Sequence, residues 1–518
     1  MKQYEMNEFT FEGKIPEGSQ AQADVQAVFT CGEESVSVKG FYAGNGRYKV
    51  RFYPRQAGLY QWQVSGAVQA RGEEQCEAAS SHGIVRADGF HFKYEDGTRY
   101  RPIGTTIYAL VHQEKEMVDT TMKTLSEAPF NKVRFCVFPK SYDFNQNDPE
   151  FYAFEKTEGR FDVHKPCFAF WDGLEERIAQ LDSMGIEGDL ILFHPYDRWG
   201  FARFSREECL VYLDYLCRRL SAYPNLWWSL ANEFDLMDQF EEEWWPEFAA
   251  FVAQNDPYGH LLSNHNCFGY WDFTNEHTTH CCIQDTCVDD VPLLRDKYKK
   301  PVVFDECCYE GNIIHPWGNI SAFEMVNRFW TAMVCGGYCT HGETYMDEND
   351  VLWWAKGGVL HGESPARIAF LREIMESLPG PVDGCMGSHS MISLEQLQQA
   401  RKLLEASKQQ GSDKDGLPDE MKNAFVRRLL TMSDDRIKEF VSRHKEIQGH
   451  CGEDAYIRYY RRQCTSIGEL NLPENGSYRV EVIDVWDMTR TPALSGVNGK
   501  VRVKLPGKEG IAVLAVRE

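Results

Sequence analysis

Two stretches of this chain run from apolar residues straight into acids. In "WWSLANEFD" (227–235) the apolar run ends at Asn232 and Glu233, and in "PVVFDECCYEG" (301–311) it ends at Asp305 and Glu306. Each reads as a buried strand whose last residues leave the wall and meet water. Glu306 lies 73 residues beyond Glu233, room for three strand–helix units between them. Two carboxyl groups converging on one pocket suit glycosidic bond hydrolysis, where one protonates the leaving oxygen and the other attacks the anomeric carbon or activates water. Retention needs the pair roughly 5 to 5.5 Å apart and inversion roughly 6.5 to 9.5 Å. Spacing along a sequence leaves that choice open.

The elements that must position these acids follow from periodicity. Short apolar strands at 100–110, 131–139, 186–196, 225–235, 261–267, 281–286, 301–311 and 335–344 alternate, for the most part, with amphipathic helical patterns. Eight such units predict a (β/α)8 barrel over 86–385, with its chemistry at the C-terminal strand ends. By that count Glu233 ends strand four and Glu306 ends strand seven. Residues 1–85 read as an immunoglobulin-like β-sandwich: Val36 and Val38, then Tyr48, Val50 and Phe52 alternate, with Asn45-Gly46 as a hairpin turn. Polar helical patterns at 386–450 predict a helical insertion, and alternating strands at 451–518 predict a second β-sandwich.

With this arrangement the chain resembles clan GH-A glycoside hydrolases, which carry Asn-Glu at the end of strand four and a second Glu at the end of strand seven. Within the clan it is most similar to the apiosidase-like glycoside hydrolases that have an N-terminal immunoglobulin-like domain and a C-terminal β-domain. The resemblance implies Glu233 as general acid/base, Glu306 as nucleophile and Asn232 as a donor to the sugar 2-hydroxyl. Asp305 and Asp235 stay as alternates, because some relatives use Asp at one position. Arg134, a charge inside the apolar strand "NKVRFCVFP", matches a clan arginine that holds the nucleophile and would keep Glu306 ionised. His194, His265, His341 and Glu343 fall at strand ends, where unused polar residues would be costly. Tyr309, Trp199, Phe201, Trp317, Trp353 and Trp354 follow strands and offer flat faces for sugar stacking, whereas Trp227 and Trp228 lie within a strand and read as structural.

Composition narrows the partners. With 55 Lys and Arg against 78 Asp and Glu, the formal charge is −23, which disfavours nucleic acid and anionic membrane surfaces. A small carbohydrate or glycoside fits better, and the β-sandwiches are expected to wall the barrel or to mediate homo-oligomerisation. The opening "MKQYEMNEFTFEGK" carries no signal-peptide pattern and no apolar run reaches membrane-spanning length, so a cytoplasmic, exo-acting enzyme on small glycosides or oligosaccharides is expected. The 17 cysteines include no CxxC pair and read as reduced, buried thiols. Neither metal nor cofactor is expected. Two other readings stand beside the glycosidase: a metal-dependent barrel hydrolase using His194, His265 and His341, and a non-catalytic carbohydrate-binding protein.

Overall fold

Strand formation in the barrel follows from residues that are apolar on both faces. A computed structural model of the chain describes residues 1–346, 351–385 and 446–518, with scattered residues between 398 and 436. Its eight parallel strands are β1 (Ile103–Thr106), β2 (Lys132–Cys136), β3 (Glu187–Phe193), β4 (Leu226–Ala231), β5 (Leu261–Ser263), β6 (Cys281–Gln284), β7 (Val302–Glu306) and β8 (Tyr338–His341). They pair in the order β5-β4-β3-β2-β1-β8-β7-β6, and a parallel bridge between His265 and Cys282 closes the ring. Each expected strand is present. Helices α1 (Lys115–Glu127), α2 (Phe168–Ser183), α3 (Arg206–Leu220), α4 (Trp244–Asn255), α5 (Val291–Tyr298), α6 (Ala322–Val334) and α7 (Ser364–Ser377) alternate with them, with none between β5 and β6. The fold is a (β/α)8 barrel.

Inward side chains of the barrel include a layer of charge. The Lys132 ammonium reaches Asp189 at 2.8 Å and Asp305 at 2.5 Å, while Arg134 Nε stands 3.5 Å from Asp189 and 4.0 Å from Asp305. Thr340 Oγ1 donates to Asp305 at 2.7 Å. Burial alone would raise Asp305, but Lys132 and Arg134 outweigh it and hold the carboxyl well below its usual range. The barrel's opposite end is plugged by a three-stranded sheet (Val85–Asp88, His91–Tyr94, Arg99–Tyr100), whose Phe92 ring lies 5.1 Å from Trp227. Trp228 donates to Asp256 at 3.0 Å, so both tryptophans of the opening stretch are wall residues.

By contact the chain forms two units: 1–288 with 294–329 and 337–376, and 289–293 with 330–336 and 377–518. The first holds the eight barrel strands and the N-terminal sandwich. Its two sheets, one of three strands and one of four, meet through Phe29 and Phe52, stacked at 4.0 Å. Asn45 and Gly46, at φ 53° and 73°, make the expected turn with Arg47 N–H on Gly44 C=O at 2.9 Å. Arg51 locks this sandwich to α2 by a bidentate pair with Glu175, 2.6 and 2.8 Å, and burial of that carboxylate is outweighed by Arg51 and Arg219, which draw it down to about 2.

The second unit is a six-stranded antiparallel sheet facing a two-stranded one, with Val480 and Val513 from the first and Leu470, Val501 and Val503 from the second in one core. Strand Asp383–Gly384 pairs with Ile447–Cys451, so residues 447–450, at the end of the expected helical insertion, are strand. The rest of that insertion lies, scattered residues apart, outside the described residues. No helix among the described residues is long and apolar enough to cross a membrane. All 17 cysteines are free thiols.

Candidate active site

The wall of β4 ends where the backbone of Glu233 turns left-handed, at φ 56° and ψ 59°. Its N–H donates to His265 Nδ1 at 3.3 Å and the next N–H donates to His265 C=O at 2.9 Å, so the chain leaves the sheet with the Glu233 side chain facing the barrel mouth. Because Nδ1 accepts, Nε2 carries the imidazole proton, and it stands 3.9 Å from Glu306 Oε1. Burial holds His265 well below the usual imidazole range and therefore neutral.

Glu306 ends β7 one residue after Asp305, and alternation puts the two on opposite sides: Asp305 in the buried charge layer, Glu306 at the mouth. The Tyr108 hydroxyl donates to Glu306 Oε1 and lies 2.9 Å from Asn232 Oδ1. Asn232 Nδ2 in turn donates to Glu233 Oε2 at 3.0 Å. Tyr196 also donates to Glu233 Oε2, and Gln284 Nε2 donates to Oε1 at 3.2 Å. Tyr108 and Asn232 thus stand between the two carboxyls, the single Tyr108 proton serving either Glu306 or Asn232 Oδ1. Burial pushes Glu306 up to about 8, although Arg134 Nη1 lies 3.5 Å from Oε1. The guanidinium is buried, forms no hydrogen bond and divides its charge among Asp189, Asp305 and Glu306.

Both glutamates open onto a cavity of about 540 Å³. Trp317 and Trp354, with ring centroids 5.1 Å apart, form one wall with Tyr142 and Tyr309. Gly342 is required there, because a Cβ would meet the Tyr309 ring at 2.0 Å. Lys140 sits in a box of rings, its ammonium 3.4 Å from the Tyr108 centroid and 4.2 Å from that of Tyr196. Burial pushes it down to about 8.

Of the residues singled out in the sequence, Asn232, Glu233, Glu306, Tyr309, Trp317 and Trp354 line this cavity. Arg134 and His265 lie buried behind the glutamates and touch Glu306. The others are elsewhere. His194 turns behind the wall, with Nε2 3.1 Å from Phe138 C=O, and burial lowers it to about 3. His341 points away from the mouth, with Nδ1 3.0 Å from Thr105 Oγ1 and its ring on Phe130. Glu343 accepts the Gly362 N–H at 2.8 Å, and burial pushes it up to about 7. Trp199 bonds Asp148 at 2.8 Å, Phe201 stacks on Phe138 at 4.5 Å and Trp353 bonds Thr105 at 2.8 Å. Asp235 caps the loop N–H groups of Cys267, Phe268 and Gly269. The three histidines of the metal-hydrolase reading do not converge. Tyr108, Lys140, Tyr196 and Gln284 were not singled out, although all four lie at or just past strand ends.

Residues 86–380 match the apiosidase-like catalytic domain family, and residues 1–67 and 444–516 match two domains of unknown function (DUF5060 and DUF5605). A crystal structure from Bacteroides vulgatus ATCC 8482, assigned as a glycoside hydrolase, is 32% identical with a TM-score of 0.84, covering 100% of this chain and 99% of that one. A glycoside hydrolase family 5 protein from the same organism is 14% identical with a TM-score of 0.61, covering 84% of this chain and 94% of its own, a likeness of fold. No curated protein matches the chain. The barrel and the matched catalytic domain together define a glycosidase. The chain belongs to the apiosidase-like glycoside hydrolase family.

Proposed function

We propose that the enzyme is a retaining glycosidase, with Glu306 as nucleophile and Glu233 as acid/base, acting from the chain end on small glycosides. The observation that carries this reading is that the two strand-end carboxyls line one cavity, with Tyr108 and Asn232 between them. Glu306 would attack the anomeric carbon while Glu233 protonates the departing oxygen, and Glu233 would then deprotonate the water that frees the sugar. Tyr108 and Arg134 stand where they would receive the charge returned to Glu306. A cavity of about 540 Å³ suits a short glycoside better than a polymer strand. The test is a panel of aryl glycosides (gluco, galacto, manno, xylo, arabinofuranosyl, apiosyl) with the first-formed anomer read by NMR. An inverted product would overturn the retaining assignment.

One observation favours a second reading with the two roles exchanged. Burial raises Glu306 to about 8, and a carboxyl that holds its proton at neutral pH is suited to be the acid. The pH dependence of kcat/KM separates the two, since it reports the free enzyme. If Glu306 is the nucleophile it must be ionised, so activity is absent at low pH and rises as pH climbs through about 8. If it is the acid, activity is lost on climbing through the same value. As nucleophile, its limb should move still higher in Arg134→Met. A rising limb in the ordinary carboxylate range, about 4, would contradict the nucleophile expectation.

A further inference from the structure

His341 and Glu343 leave the cavity, but not for ordinary packing. With Glu310 they form a cluster in which one ring nitrogen of His341 and one oxygen of each carboxyl lie within 4.8 Å of one another. All three side chains are buried, at 0%, 1% and 0% exposure for His341, Glu343 and Glu310. No lysine or arginine among the described residues pairs with either carboxyl. The compensating groups are N–H donors where α7 begins: His361 and Gly362 donate to Glu343, and Glu363 and Ser364 donate to Glu310 at 2.8 and 3.2 Å. A helix N-terminus supplies about half a positive charge to the pair. Tyr345 adds one hydroxyl to Glu310 Oε1 at 3.1 Å.

Ligand capacity remains after these bonds. Each carboxylate oxygen accepts along two lone pairs, so Glu310 Oε2 and both oxygens of Glu343 keep one free. Nδ1 of His341 is taken by Thr105, whereas Nε2 is buried without a hydrogen-bond partner. A histidine fixed through one nitrogen and open at the other, beside carboxylates oriented by N–H donors, is how metal ligands are commonly held. Gly362 keeps the space clear, since a Cβ there would lie 2.6 Å from Oε2 of both glutamates.

We propose that Glu310, His341 and Glu343 bind one divalent first-row transition ion, of the Zn²⁺ or Mn²⁺ kind. Mixed imidazole and carboxylate donors suit such ions better than Mg²⁺ or Ca²⁺. The backbones of Glu310 and Glu343 already pair in parallel, so the ion would clip the loop after β7, which carries Tyr309, to the end of β8 and the start of α7. The site stands whether or not the carboxyl-pair assignment holds.

The test uses the full chain, expressed with Zn²⁺ or Mn²⁺ and freed of loose metal by gel filtration. One equivalent of ion per chain is expected by mass spectrometry, with a melting temperature that falls on chelation and returns with the same ion. Glu343→Gln and His341→Gln should each lose the ion. Should those variants fail to fold, Co²⁺ loaded into the wild-type chain gives the answer: d–d bands without thiolate charge transfer support an oxygen and nitrogen site. Absence of a bound ion after both loadings, retention of it by either folded variant, or a thiolate spectrum overturns the proposal.

Discussion

Glu306→Ala is expected to lower kcat by about 10⁴-fold or more, because removing a nucleophile abolishes the covalent route rather than weakening it. Azide should then restore turnover and yield a glycosyl azide of inverted configuration, since the small anion enters from the face the carboxylate occupied. Glu233→Ala should cost about 10²- to 10⁴-fold with a poor leaving group and far less with an activated aryl glycoside, which departs without a proton. Azide on that variant should give the retained product. Exchange of these two azide outcomes would assign Glu306 as the acid, in keeping with its raised carboxyl. Wild-type turnover in either variant would remove the carboxyl pair from the chemistry altogether. Asp305 and Asp235 are expected to give no such azide signature, the first being engaged by Lys132 and the second by loop N–H groups.

Lys132→Met is expected to destabilise the barrel by about 3 to 5 kcal/mol, because it leaves buried carboxylates without their nearest cation. Lys132 holds Asp189 at 2.8 Å and Asp305 at 2.5 Å, and Arg134 stands too far away to replace it. The measurement is the denaturant midpoint of the barrel transition, followed by tryptophan fluorescence. Adding Asp305→Asn should recover part of the loss, since it removes one unpaired charge. A midpoint equal to wild type would mean the layer takes up protons or water at little cost. Folding loss and catalytic loss are thus expected from neighbouring residues of one strand, Asp305 acting through the first and Glu306 through the second.

That adjacency also explains how far the sequence could be read. The eight strands were legible because a strand buried on both faces must be apolar almost throughout, and Asn232-Glu233 and Asp305-Glu306 were legible because they break that rule abruptly. What a strand end does not reveal is the side its polar residue takes. His194 and His341 occupy the same rank along their strands as residues at the mouth, yet turn behind the wall to Phe138 and Thr105. The period-2 rule that would have told them apart lapses where the strand stops. Tyr108, Tyr196 and Lys140 carried the opposite ambiguity, since tyrosine and a lysine stem are at home in cores and become site residues only through what stands opposite them.

The left-handed backbone at Glu233, φ 56°, has a counterpart at Cys308, φ 66°, two residues beyond Glu306 on the cavity wall. Such conformations cost a non-glycine residue on the order of 1 kcal/mol, and glycine adopts them freely. A library of this chain screened only for heat resistance should therefore enrich glycine at 233 and 308, and the enrichment at 233 should come with loss of hydrolysis. Ranking variants by melting temperature alone would, at that position, select against the enzyme.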